Sequence, residues 1–181
     1  MKITETGING CYVLSPFTQH DDRGHFIKWF SSKSYEAAGL CTEWMEVYGS
    51  ISKSGVIRGL HFQPPPVDHA KVVYCLAGKA FDVVFDLRCN SRSFGEHIQL
   101  ELNADKPTAV YIPPGCAHGF LSLADETLIF YQVSSNHAPT LEAGVRWDSV
   151  GINWPIKTPI ISKRDANLPK FVDFDSPFRE S

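Results

Sequence analysis

Gly55-Val56-Ile57-Arg58-Gly59-Leu60-His61-Phe62-Gln63, followed by Pro64-Pro65-Pro66-Val67-Asp68-His69-Ala70-Lys71, decides how this chain is read. Val56, Ile57 and Leu60 are strand residues, and Arg58 and His61 are set among them. Side chains of a strand alternate between its two faces. Ile57, Gly59 and His61 therefore share one face, and Arg58 and Leu60 the other. Three prolines in a row cannot donate to a ladder, so the strand ends at Gln63. On its own, His61 reads either as a core histidine satisfied by a hydrogen bond or as a working imidazole facing a cleft.

Outward from this stretch the chain is a series of short strands. Gly10 to Leu14 and His25 to Phe30 come first, separated by the charged turn Gln19-His20-Asp21-Asp22-Arg23-Gly24. Ser31 to Ala38 reads as a short helix stopped by Gly39. A strand at Glu43 to Tyr48 follows. Lys71 to Ala77 turns at Gly78-Lys79 and returns as Ala80 to Leu87. In the return strand Phe81, Val83, Phe85 and Leu87 share one face, and Asp82, Val84 and Asp86 the other. Asp82 and Asp86 are either solvated or, in the case of Asp82, turned into a polar cavity. Further strands are expected at Ile98 to Leu102, Ala109 to Ile112, Ala117 to Leu123 and Thr127 to Ser134. This spacing predicts an all-β sandwich or barrel. The Pro- and Trp-containing last fifty residues read as irregular structure over the barrel, with a short helix. One domain over 1–181 is expected, its core spanning about 43–135.

Composition narrows the function classes. The 181 residues suffice for one sizeable core. A net charge of −3 argues against a nucleic-acid surface. The five cysteines form no C-x-x-C pair, which favours reduced thiols and a cytoplasmic setting. The first residues carry no apolar signal segment, and no run reaches membrane-spanning length. There is no G-x-G fingerprint, P-loop or G-x-S-x-G elbow.

Ile112-Pro113-Pro114-Gly115-Cys116-Ala117-His118-Gly119-Phe120 places a P-x-G turn ahead of a histidine, a pattern typical of cupin-type double-stranded β-helix (jelly-roll) barrels. Metal-binding cupins also carry H-x-H in the first histidine segment. Here that segment reads His61-Phe62-Gln63, so the second imidazole is missing and a metal-free barrel is expected.

A series of blocks then lines up in order. They include Asp22-Arg23-Gly24-x-Phe26, the Gly55–Gln63 stretch, Ala70-Lys71, Phe81 to Arg88, Ser93-Phe94-Gly95, Ile112 to Phe120 and Tyr131. Pro139, Glu142 to Trp147, Ile152 to Pro155 and Ser162-Lys163-Arg164-Asp165 complete the series. From about Gly10 to Leu168 the chain resembles the dTDP-4-dehydrorhamnose 3,5-epimerase family. The resemblance implies a homodimeric cupin-type barrel, without metal or other cofactor, acting on a nucleotide-linked 4-keto-6-deoxyhexose. It implies His61 as base, Asp165 as the group holding its imidazole, Lys71 at the ketone oxygen and Tyr131 as acid on the other face. Arg23 and Arg58 would hold the diphosphate, and His118 would contact sugar or phosphate. Glu142 and Arg164 fall in matching blocks and are counted with the substrate-binding residues. This chemistry is coherent. A C4 ketone acidifies the C3 and C5 hydrogens, and inversion needs a base, an electrophile at the oxygen and an acid across the ring.

Departures from the family pattern cluster at Lys28, Glu46, Tyr48, His137 and Arg164, which stand where the family usually has Glu, Gln, Asn, Tyr and Lys. Donor and acceptor exchanges at Lys28 and Glu46 raise a cytosine nucleotide, hence a CDP-linked sugar epimerised at C5 only, beside the dTDP sugar. A plainer alternative is a Lys28–Glu46 ion pair with thymidine still bound. Competing classes are a 3,4-ketoisomerase on the same kind of sugar nucleotide and a non-catalytic sugar-binding cupin; a metal-dependent dioxygenase ranks last for want of H-x-H. A cell-surface polysaccharide, such as the O-antigen of lipopolysaccharide, is the expected destination of the product.

Overall fold

The computed structural model describes residues 1–179. Thirteen strands dominate: β1 (Lys2–Glu5), β2 (Tyr12–Ser15), β3 (Phe17–Asp21), β4 (Gly24–Lys28), β5 (Glu46–Ser52), β6 (Ile57–Phe62), β7 (Lys71–Ala77), β8 (Lys79–Asp86), β9 (His97–Asn103), β10 (Ala109–Ile112), β11 (Cys116–Ser122), β12 (Thr127–Val133) and β13 (Ala143–Gly144). Two short helices, α1 (Ser32–Glu36) and α2 (Lys163–Ala166), and a 3-10 turn at Phe171–Asp173 complete the elements. One antiparallel sheet runs β1-β2-β10-β7-β12-β5, and a second runs β13-β6-β11-β8-β9. They face each other as an all-β, cupin-type barrel.

Alternation along the strands builds three apolar layers. Val73 and Cys75 of β7, Ala80 and Val84 of β8, Val110 and Ile112 of β10, and Ile129 and Tyr131 of β12 point into the barrel. The opposite residues of β7 and β10, Val72, Tyr74, Ala109 and Tyr111, pack outward under Tyr35 of α1 and Leu40. On the other wall, Val83 and Phe85 of β8 pack outward under the C-terminal segment, against Val145, Phe171 and Phe178. Residues 145–178 thus supply the cover of the second sheet. Burial of Leu or Phe side chains of this kind contributes about 1.5–3 kcal/mol each.

Several boundaries shift from those the sequence suggests. The expected strand at His25 to Phe30 is one arm of a hairpin, β3–β4, whose other arm is the polar run Phe17–Asp21. This hairpin is a two-stranded sheet of its own and joins neither barrel sheet. The strand expected to end at Tyr48 continues to Ser52, because β12 pairs with it residue by residue from Val133↔Glu46 to Thr127↔Ser52. Asp82 and Asp86 are not solvated: both are fully buried. Asp86 accepts from Arg88, Ser91 and Ser93 and so pins the loop after β8. All five cysteines are free thiols. Among the described residues no helix is long and apolar enough to cross a membrane.

Candidate active site

Strand β6 carries the first two site residues, and a bulge decides where they point. Against β11, His61 faces His118 and Arg58 faces Phe120, so Gly59 and Leu60 oppose Gly119 alone. One extra residue reverses the alternation. Arg58 and His61, three positions apart, therefore line the same cleft instead of opposite faces. The crossing is too tight for side chains. A Cβ on Gly59 would lie 2.6 Å from Gly119 Cα, and one on Gly119 would lie 2.7 Å from the Arg58 carbonyl oxygen. Gly59 also sits at φ +121°, a conformation that L side chains rarely adopt.

The cleft encloses about 720 Å³. On one side His61 Nε2 lies 2.8 Å from Asp165 Oδ1. Asp165 is buried at 2 % exposure, and its Oδ2 accepts the Gly59 backbone N–H at 3.2 Å. It is held there because Ser162 caps α2, its hydroxyl accepting the Asp165 N–H at 3.0 Å. Burial pushes the Asp165 carboxyl up. The His61 hydrogen bond and charge, the Gly59 N–H and Arg164 outweigh it and hold the group at about 2. The carboxylate is thus a permanent anion beside the imidazole.

Lys71, at the head of β7, and Tyr131, on β12, line the cleft with His61. Burial lowers the Lys71 amine to about 8, partly offset by the charges of Glu142 and Asp82. Tyr131 is 8 % exposed. Burial raises its phenol well above the usual range and keeps it a neutral O–H donor. Tyr48 stacks on it, ring centroids 5.0 Å apart and 24° from parallel. His118 is buried deeper, its Nε2 2.8 Å from Asp82 Oδ2 and its ring edge-on to Tyr131 at 6.1 Å. The other Asp82 oxygen, Oδ1, is buried with no partner. Sequence alone left Asp82 undecided; its cross-strand relation to His118 needs the β8–β11 register, which pairs Asp82 with Phe120 and Val84 with His118.

Arg58 is steadied by the Ser52 hydroxyl at 3.0 Å. Arg164 donates to Glu142 at 2.6 Å and lies 2.8 Å from His61 Nε2. A small side pocket continues the cleft past Lys71, lined by Glu46, His69, His137 and Glu142. Glu46 accepts the His137 backbone N–H at 2.9 Å, so the predicted Lys28–Glu46 ion pair is not what Glu46 makes. His69 was not singled out from sequence. Burial, with Lys71 nearby, lowers its imidazole to about 4, so it enters this pocket uncharged.

Arg23 and Lys28 are not brought to the cleft of their own chain. Both sit on the free-standing β3–β4 hairpin, where Arg23 is paired with Asp21 at 2.6 Å and its side chain is 90 % exposed. Lys28 borders a separate depression with Met1, Phe17 and Ser34. The reason is topological: the hairpin has no ladder to either barrel sheet.

Comparison with known proteins supplies the last observation. Residues 5–173 match the family profile described as dTDP-4-dehydrorhamnose 3,5-epimerase. The enzyme of that name from Shigella flexneri is 36 % identical over 178 residues, 97 % of this chain and 98 % of its own. A crystal structure of dTDP-4-dehydrorhamnose 3,5-epimerase from Bacillus anthracis with TDP and PPi bound superposes with a TM-score of 0.91 at 34 % identity, covering 94 % of this chain and 99 % of that one. The dTDP-6-deoxy-D-glucose-3,5-epimerase of Legionella pneumophila, in complex with dTDP-4-keto-L-rhamnose, gives 0.93 at 30 % identity, covering 99 % and 98 %.

Proposed function

This chain belongs to the dTDP-4-dehydrorhamnose 3,5-epimerase family, and from that premise we propose that its cleft epimerises a dTDP-linked 4-keto-6-deoxyhexose at C3, C5 or both. The carrying observation is that the hydrogen-bonded His61–Asp165 pair, Lys71 and Tyr131 all line one cleft. His61 takes the proton alpha to the ketone. Asp165 orients the ring and stabilises the imidazolium that forms. Lys71, still largely cationic at neutral pH with its amine at about 8, meets the charge that develops on the C4 oxygen. Tyr131, kept protonated by burial, returns a proton from the other face. Arg58 and Arg164 hold the diphosphate, and His118 with Asp82 contacts the sugar.

Thymidine is the nucleotide this reading favours, because the relatives act on or bind dTDP compounds. The cytosine alternative gains no support from them. One of its two key exchanges also has another place here, Glu46 on the His137 N–H.

A homodimer accounts for Arg23 and Lys28. The edge strand β5 exposes Val47 and Ile51, and the hairpin exposes Phe17 and Phe26. In the dimer these apolar surfaces are covered, and the hairpin delivers its cations to the partner's cleft. Light scattering reports the assembly: a monomer at micromolar concentration contradicts it.

The test of activity is proton NMR in D₂O with dTDP-4-keto-6-deoxyglucose and its CDP counterpart. Deuterium at C3 or C5, with an inverted centre and the carbonyl still at C4, is the expected result for the dTDP compound. A carbonyl moved to C3 indicates the ketoisomerase instead, and binding without exchange indicates a sugar-binding cupin.

A further inference from the structure

Edge strand β5 turns Tyr48 and Ser50 toward the cleft and Ser52 beneath it, while Val47 and Ile51 take the opposite, exposed face. Two of the three inward residues have a visible task. Tyr48 stacks on Tyr131, and the Ser52 hydroxyl holds Arg58 Nε at 3.0 Å. Ser50, between them, has none: its Oγ is buried and has no hydrogen-bond partner among the described residues. Buried hydroxyls are rarely left so, and each one calls for a reason.

The reason lies in its neighbour. Ser50 is two residues along from Tyr48, which faces Tyr131 across the β5–β12 ladder, and Ser50, Tyr131 and Arg58 line the same cleft. Burial raises the Tyr131 phenol. The Ser50 hydroxyl is the first of the groups that oppose this and the Arg58 charge another, whereas the Asp82 and Tyr48 charges add to it. On the epimerase reading, on which this inference rests, the phenol hydrogen points at the sugar carbon and is not spent on Ser50. In the acid step the Tyr131 O–H bond breaks and a C–H bond forms with the electron pair of the enolate. The O–H pair stays behind on a phenolate. A phenolate in so enclosed a place, on a residue 8 % exposed, needs a hydrogen-bond donor. A hydroxyl with no other engagement can turn its hydrogen to that oxygen, and O–H···O⁻ bonds are among the stronger ones.

We propose that Ser50 is a positioning residue for the acid step: its hydroxyl turns onto the Tyr131 oxygen as the phenol yields its proton, and holds the phenolate until water reprotonates it. The bond exists only once the phenol hydrogen begins to move. It therefore lowers the barrier to inversion and leaves proton removal by His61 as it is. After the product departs, water takes the proton from the His61 imidazolium and returns one to the phenolate, which closes the balance.

Proton NMR in D₂O with dTDP-4-keto-6-deoxyglucose, run on the full parent chain, S50A and S50T, separates the two steps. Deuterium entering with retained configuration reports His61 alone, and inverted product reports the acid as well. S50A is expected to invert about 10²-fold more slowly while its exchange stays within about twofold of the parent's. S50T keeps a hydroxyl and is expected to invert like the parent. Calorimetry with TDP records the state of the site in parallel, and S50A is expected to bind as the parent does. Exchange and inversion lost together in S50A, inversion by S50A at the parental rate, an S50T that behaves like S50A, or an S50A that no longer binds TDP overturns the role of Ser50 and leaves His61 and Tyr131 as base and acid. A parent chain that binds TDP without exchanging the sugar overturns the epimerase reading, and the role of Ser50 with it.

Discussion

Lys71→Met separates what the ammonium does for the fold from what it does for chemistry. Burial lowers the Lys71 amine from 10.5 to about 8. At about 1.4 kcal/mol for each tenfold loss of proton affinity, keeping that ammonium charged at pH 7 costs the folded state about 3 kcal/mol. The side chain retains part of its exposure, so solvent reduces the figure to about 2 kcal/mol. Methionine fills nearly the same volume without charge. The variant is therefore expected to be more stable than the parent by about 2 kcal/mol in urea unfolding at pH 7. The sign follows from linkage. Between the folded value of about 8 and the unfolded 10.5, the unfolded chain holds more protons, so the parent gains stability as pH rises. The advantage of the variant is full below pH 8 and closes as pH approaches 10.5. Activity moves the other way. Loss of the cation at the developing oxyanion lowers kcat by about 10²–10³-fold. A variant that is less stable at pH 7, or one that keeps parental turnover, refutes the reasoning.

Three further outcomes rest on separate contacts. Asp165→Asn destabilises the chain by about 2 kcal/mol at neutral pH. Because the Asp165 carboxyl is held near 2 against an ordinary 3.8, that difference is present above pH 4 and fades as pH falls toward 2 in acid unfolding. Gly59→Ala meets Gly119 Cα at 2.6 Å and an unfavourable φ, so calorimetry should register a loss of about 2–4 kcal/mol; an unchanged Tm shows that the bulge tolerates a side chain. Tyr48→Ala removes the stack on Tyr131, about 1 kcal/mol of aromatic contact, and slows inversion more than it slows proton exchange, whereas Tyr48→Phe keeps both.

Hydrophobic periodicity made most of the barrel legible. Lys71–Ala77 and Ala109–Ile112 fall where the pattern places them, because the interiors of these strands are apolar on both faces. The pattern failed where a residue count changes a face. Strict alternation separates Arg58 from His61, and the bulge at Gly59 reunites them; the signal was present as two glycines, Gly59 and Gly119, that nothing local requires. It was also incomplete at Asp86, whose polarity suggests solvent while Arg88, Ser91 and Ser93 of the following loop bind the buried carboxylate, and at Asp82, which stays open between solvent and a polar cavity because its partner His118 lies on another strand. The polar arm Phe17–Asp21 has no apolar face to betray it as a strand. The grouping of His61, Lys71, Tyr131 and Asp165, by contrast, came from ordered motifs, and the fold brings all four to one cleft.

The central claim is that a base and an acid work on opposite faces of the sugar, and Tyr131→Phe tests it most directly. With dTDP-4-keto-6-deoxyglucose in D₂O, this variant retains His61 and loses the donor across the ring. The account predicts deuterium entering the sugar with retention of configuration and no inverted product, while His61→Asn abolishes exchange. Inversion by Tyr131→Phe at the parental rate contradicts it.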